Sequence, residues 1–146
     1  MNDKCQETSV TPDDINAMLD EHWPGAGVRC VEVGPQHALA RLTPHPASIR
    51  PGGFLSGPIL FAAADSAFWF LVAGVQGRPE PMALTSELSI RFLRPAVGST
   101  IYARAELERA GRSSVVATVT VWVEDQRSRP CAVAQGTYSL PPEPPT

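Results

Sequence analysis

From Ile59 to Val75 the chain runs seventeen residues in which only Asp65 and Ser66 are polar. Such a run reads as a helix, and at 1.5 Å per residue it reaches about 25 Å, short of the ~30 Å hydrocarbon layer of a membrane. An aspartate at mid-membrane would cost roughly a further 3 kcal/mol. The pattern therefore predicts a core helix, apolar on every side and enclosed by the rest of the domain.

Ahead of it, Thr11-Pro12-Asp13-Asp14 supplies an N-cap, a proline for the first turn and acids against the positive end of the helix dipole. Ile15, Met18, Leu19 and Trp23 recur at helical spacing until Pro24-Gly25, which predicts a helix over about 12–23. Apolar and polar residues then alternate over Gly27–Val33 and Ala38–Leu42 around Gly34-Pro35, a hairpin pattern. Residues 44–58, with four prolines and three glycines, read as a loop in which Gly57 caps the long helix and Pro58 opens it. After Pro79 and Pro81 the chain is strand-like over 83–93, 101–109, 113–124 and about 132–140, with turns at 95–98, 110–111 and 125–129. The closing run PPEPPT, 141–146, can neither pair nor coil and is expected to be disordered. One apolar helix with two strands before it and four after it predicts an α+β domain over 1–140, a curved antiparallel sheet wrapped around the helix.

Composition narrows the function. With 146 residues, 43% of them apolar and 18% charged, the chain suits one packed core and is not a disordered polymer. Twelve basic against fifteen acidic side chains, without a basic run, argue against nucleic acid as a general partner. Cys5, Cys30 and Cys131 are odd in number and lack paired spacing, which disfavours both a disulfide framework and structural zinc. Met1–Ser9 has no apolar run for a signal peptide, so the expectation is a cytoplasmic protein with no membrane partner.

Asp65 is the residue with most to explain. Phe61, Ala62, Phe68 and Trp69, its neighbours three and four positions away, are all apolar, and a carboxylate on a dry face is costly unless it serves a site. A partly exposed acid at a helix end or subunit contact is the alternative. Gly57, at the helix start, has a backbone N–H free to stabilise an oxyanion, or is simply a cap beside a proline. Ser56 could donate to a substrate oxygen or to Asp65, or be an ordinary helix-start serine. His22, His37 and His45 form no metal or triad pattern, and Glu87 reads as a strand-face residue.

The segments GGFLSGPILFAAAD and LTSELSIRFLRPAVGS, in this order of elements, resemble the hotdog-fold acyl-CoA thioesterases of the PaaI-like group, within the 4-hydroxybenzoyl-CoA thioesterase superfamily. The resemblance covers roughly residues 27–140. In that family a loop ending in His-Gly-Gly opens the central helix and an acid follows nine positions later. Here Ser56-Gly57-Pro58 stands in the His-Gly-Gly place, Asp65 keeps the spacing, and Phe92-Leu93-Arg94-Pro95 with Gly98 matches a strand end. The family's asparagine, six residues before the histidine, is Arg50 here, and the histidine is Ser56.

The resemblance implies a homo-dimer or tetramer with sites between subunits, and Asp65 as general base or nucleophile. It also implies Gly57 as oxyanion donor and Thr85 as the hydroxyl that holds water near the acid. Arg94, Arg109 and Arg112, with Ser113 and Ser114, fall where members hold coenzyme A phosphates. Arg50 then binds an anionic part of the ligand, pairs with an acid across a subunit interface, or is a solvated loop residue. The expected function is hydrolysis of an acyl-CoA or aryl-CoA thioester without metal or cofactor. The alternative is an acyl-CoA binding protein that has lost the chemistry. A hydratase is weaker, because the paired Asp and His of such enzymes are missing.

Overall fold

The first helix begins where its sequence supplies a cap. In the computed structural model, which describes residues 10–142, α1 spans Pro12–His22. Thr11 Oγ1 accepts from the Asp14 N–H at 3.2 Å while Asp14 Oδ2 accepts from the Thr11 N–H at 2.9 Å, a reciprocal capping box. Cys5, with the rest of 1–9, and residues 143–146 of the proline-rich tail lie outside the described residues.

The hairpin forms as β1 (Val28–Val33) and β2 (His37–Leu42). The proline-rich stretch after it contains more than a loop. A 3₁₀ turn at Pro46–Ser48 leads into two short paired strands, β3 (Ile49–Arg50) and β4 (Phe54–Leu55). Gly52 and Gly53, at φ of 89° and 79°, supply the left-handed turn between them.

The core helix α2 spans Gly57–Gln76, one residue earlier than expected. Ser56, not Gly57, is the N-cap: its backbone is extended, and its carbonyl accepts the first helical bond from Leu60 at 3.3 Å. Gly57 is therefore the first helical residue and Pro58 the second. Four strands follow: β5 (Leu84–Phe92), β6 (Ile101–Ala110), β7 (Ser114–Val123) and β8 (Ala132–Ser139).

All six long strands join one antiparallel sheet in the order β1-β2-β6-β7-β8-β5. The α2 helix packs mainly against β2 and β6, where Ala38, Ala40, Ala103 and Ala105 are small enough for close approach. Phe68, Phe70, Leu71 and Val72 fill the space between. At Gly74 a Cβ would lie 2.0 Å from the Gly34 carbonyl oxygen, so the helix end can press on the hairpin turn only without a side chain.

The expectation of a helix enclosed on all sides needs correction. Its flank toward β5, carrying Phe61, Ala62, Asp65, Ser66 and Trp69, is covered only in part. The sheet wraps α2 from β1 round to β8, and the last strand, β5, stays largely exposed on both faces. By length and composition α2 could cross a membrane, but about half of its most apolar stretch (56%) is buried within the fold.

Candidate active site

Asp65 lies on that incompletely covered flank and is half-buried. Thr85 Oγ1 of β5 donates to Asp65 Oδ1 at 2.7 Å, and Tyr138 Oη of β8 donates to the same oxygen at 2.7 Å. The two hydroxyls converge because Thr85 and Tyr138 are directly paired across the β5–β8 ladder. That pairing depends on an irregularity between Thr85 and Glu87, where β5 holds one extra residue. An undisturbed ladder would put Ser86 opposite Tyr138; the bulge turns Thr85 toward the helix instead.

Tyr138 was not among the sequence candidates. Its phenol pKa is raised above the ordinary value, chiefly by burial and then by the charge of Asp65, so it remains a protonated donor. A signal for it exists in the sequence: a tyrosine on an inward strand position needs a polar partner, and Asp65 is the one acid on the apolar helix.

The start of α2 forms a second region. An apolar cleft of about 740 Å³ is lined by Arg50, Phe54, Gly57, Leu60, Phe92 and Arg94, among others. A Cβ on Gly57 would meet the Phe92 ring at 3.3 Å, so the ring leaves little room for a side chain at this position. Ser56 makes no side-chain capping bond. Arg94 Nε donates to the Pro130 carbonyl at 3.0 Å, whereas Arg50 is exposed and has no ion pair among the described residues. Eight helical positions separate Gly57 from Asp65, about 12 Å along the axis, so one chain cannot bring both onto a single carbonyl.

Arg112 and Ser113 sit elsewhere. They belong to the β6–β7 turn, where the Ser113 carbonyl accepts from Leu140 and Arg112 neighbours Gln76, the last residue of α2. Arg109 and Ser114 lie at this same end of the hairpin. The length of α2, about 30 Å, separates this group from the Gly57 cleft within one chain. The structure thus groups Arg50, Gly57 and Arg94, joins Asp65 to Thr85, and leaves Arg112 and Ser113 apart from both.

Other polar residues have structural duties. His45 Nδ1 accepts from the Ala47 N–H, His37 neighbours Glu32 at 3.3 Å, and buried Glu80 pairs with Arg78 at 2.8 Å. Among the described residues no three His, Cys, Asp or Glu side chains gather into a metal-holding group. Burial, with help from the nearby Glu32 charge, pushes the Cys30 thiol up to about 12, and burial raises Cys131 as well, so neither is a ready nucleophile.

Comparison with known proteins places the fold in a family. The pattern of the thioesterase superfamily matches residues 52–129, from the β3–β4 turn to the loop before β8. A protein of Silicibacter sp. TM1040, named for a suspected thioesterase activity, has a similar structure with a TM-score of 0.79 at 30% identity, covering 90% of this chain and 92% of its own. A thioesterase family protein from Silicibacter pomeroyi gives 0.74 at 25% identity over 87% and 95%. The PaaI protein of the E. coli phenylacetic acid degradation operon shares the fold, at 0.72 and 22% identity over 89% and 92%. No curated protein sequence matches the chain. With a family pattern spanning just over half of its residues, and a long helix held against one antiparallel sheet, the chain belongs to the thioesterase superfamily and has its hotdog fold.

Proposed function

We propose that the protein hydrolyses acyl-CoA or aryl-CoA thioesters, with Asp65 as the reacting carboxylate and the Gly57 N–H as oxyanion donor. The observation that carries this reading is a half-buried carboxylate, on an apolar helix flank, tied to two hydroxyls through one of its oxygens. As general base it takes a proton from water, whose oxygen attacks the thioester carbonyl. The tetrahedral oxyanion then accepts from Gly57 and collapses, and coenzyme A leaves as the thiol with the proton that Asp65 returns. Attack by the carboxylate itself, which breaks the C–S bond, expels coenzyme A as the thiolate and leaves a mixed anhydride that water cleaves to the free acid and the regenerated carboxylate, is the other route through the same residue.

Because Gly57 and Asp65 are about 12 Å apart along one helix, the complete site needs a second copy of the chain. A dimer or tetramer that brings the Asp65 flank of one copy to the Gly57 cleft of another meets this need and covers the apolar surface along β5. In the cleft Arg50 recognises an anionic part of the ligand. Arg94 lies on the same wall, while Arg112 and Ser113 reach coenzyme A from a neighbouring copy.

The test is release of free thiol from a panel of acyl-CoA and aryl-CoA esters. Saturable release supports hydrolysis. Tight binding without release would instead make this a CoA-ester binding protein, a reading that the Arg50 and Ser56 replacements favour. Within the panel, Arg50→Ala should raise KM more for esters bearing an extra carboxylate than for neutral chains, and an equal response would remove Arg50 from ligand recognition.

A further inference from the structure

The hydrogen bonding of Asp65 is one-sided. Both hydroxyls donate to Oδ1, and the Tyr138 phenol also lies 3.2 Å from the backbone carbonyl of Asp65. Oδ2 has no partner among the described residues. Every buried side-chain nitrogen or oxygen among those residues does have one, so Oδ2 must reach the surface. Tyr138 itself is 3% exposed, and its ring rests on Phe68 with centroids 4.8 Å apart.

The surroundings explain why one buried phenol matters. The side chains that β2, β6 and β7 turn toward α2, such as Ala40, Ala103 and Val119, are apolar. On β1 the titratable group turned inward is the buried Cys30 thiol; on β5 the neighbours are Thr85 and the exposed Glu87; on β8 it is Tyr138. The nearby acid Glu80 is paired with Arg78, and no cation pairs with Asp65 among the described residues. The carboxylate is therefore oriented by hydroxyls and not by a counter-ion.

Resting on the hydrolytic reading, we propose that Tyr138 is a positioning residue: with Thr85 it fixes Asp65 through Oδ1 and leaves Oδ2 as the oxygen that meets water or the thioester. A free aspartate rotates about two bonds, and holding it in one rotamer keeps Oδ2 aimed at the reacting carbon without further ordering in the transition state. The phenol sits behind the carboxylate, on the side away from the open flank, so it orients the acid without touching substrate.

Tyr138→Phe retains the ring and its packing and removes only the hydroxyl. Expected is a fall in kcat of about tenfold with KM within about twofold, since the bond acts on geometry and not on ligand binding. Isotope-edited infrared spectra supply a readout that packing alone would not move. The Asp65 carboxylate stretch should shift in Tyr138→Phe, and the same change made on an Asp65→Asn background should leave that band region unaltered. An unshifted band, or an unchanged kcat, overturns the proposal. Should Tyr138→Phe fail to fold, Thr85→Val takes the companion hydroxyl from an exposed strand position and carries the same two readouts. A wild-type protein that releases no thiol would overturn the hydrolytic reading and the reacting role of Oδ2 with it. The infrared shift would still register the Tyr138–Asp65 bond, so the two failures are told apart.

Discussion

At one edge of the sheet, the Asn16 amide of α1 donates to the Cys30 carbonyl at 3.1 Å and accepts from the Cys30 N–H at 2.9 Å, acting as a short stand-in for a neighbouring strand. At the opposite edge, β5 pairs with β8 on one side and has no strand beyond it among the described residues. Its surroundings are apolar and open, with Met82 70% and Leu84 69% exposed. An uncovered strand edge is an invitation to association, and the first edge is blocked within the chain. The second carries Thr85, one of the two donors to Asp65. The contrast teaches that this fold uses its own residues to close the edge at β1 and leaves open the edge beside Asp65, where the proposed second copy would dock.

The strongest challenge to that contrast is Asp65→Asn, which keeps shape while removing charge and basicity. We expect kcat to fall by roughly 10² or more, as for other positioned acid–base groups, with the Kd of a non-hydrolysable acyl-CoA analogue retained. Equal loss of binding and turnover would make the open edge structural, like the closed one. Next comes Leu84→Glu, which puts a charge into the exposed apolar surface at the start of β5. Sedimentation should move from an oligomer to a 15.7 kDa monomer, with turnover lost as the two half-sites separate. A wild-type protein that already sediments as a monomer at micromolar concentration would remove the assembly.

The closed edge should answer in stability instead. Asn16→Ala strips the side-chain partner from both backbone groups of Cys30 and should cost about 1–3 kcal/mol, read as a Tm lower by several degrees, with turnover per folded molecule unchanged. A loss of turnover at unchanged Tm would contradict the division of labour. The last effect appears only at high pH. The Cys30 thiol titrates near 9.0 when unfolded and is pushed up to about 12 in the fold, so the folded state holds its proton longer. Its contribution is full below pH 9 and declines as pH rises toward 12, by up to roughly 1.4 kcal/mol per pH unit. In Cys30→Ala, denaturant melts across that range should show a shallower alkaline decline.

The sequence alone determined the elements whose signals are local. Thr11 and Asp14 cap α1 through bonds that span three residues, the unbroken apolar run marks α2 as the core helix, and the alternation of β6 declares its buried face. Asp65 was legible for the same reason, as an isolated charge among Phe61, Ala62, Phe68 and Trp69. What the tertiary structure decided depends on register and reach. Tyr138 meets Asp65, 73 residues away, because a bulge between Thr85 and Glu87 shifts the β5–β8 pairing, and no local pattern encodes which residues of two distant strands stand opposite each other. The choice of Ser56 over Gly57 as the cap turned on which backbone remained extended where the short β3–β4 hairpin delivers the chain. Arg94 and Arg112 both looked like strand-end cations. The direction of each strand separates them, since β5 and β6, with β7 and β8 between them, run oppositely and end at opposite sides of the sheet, and the length of the fold then lies between them.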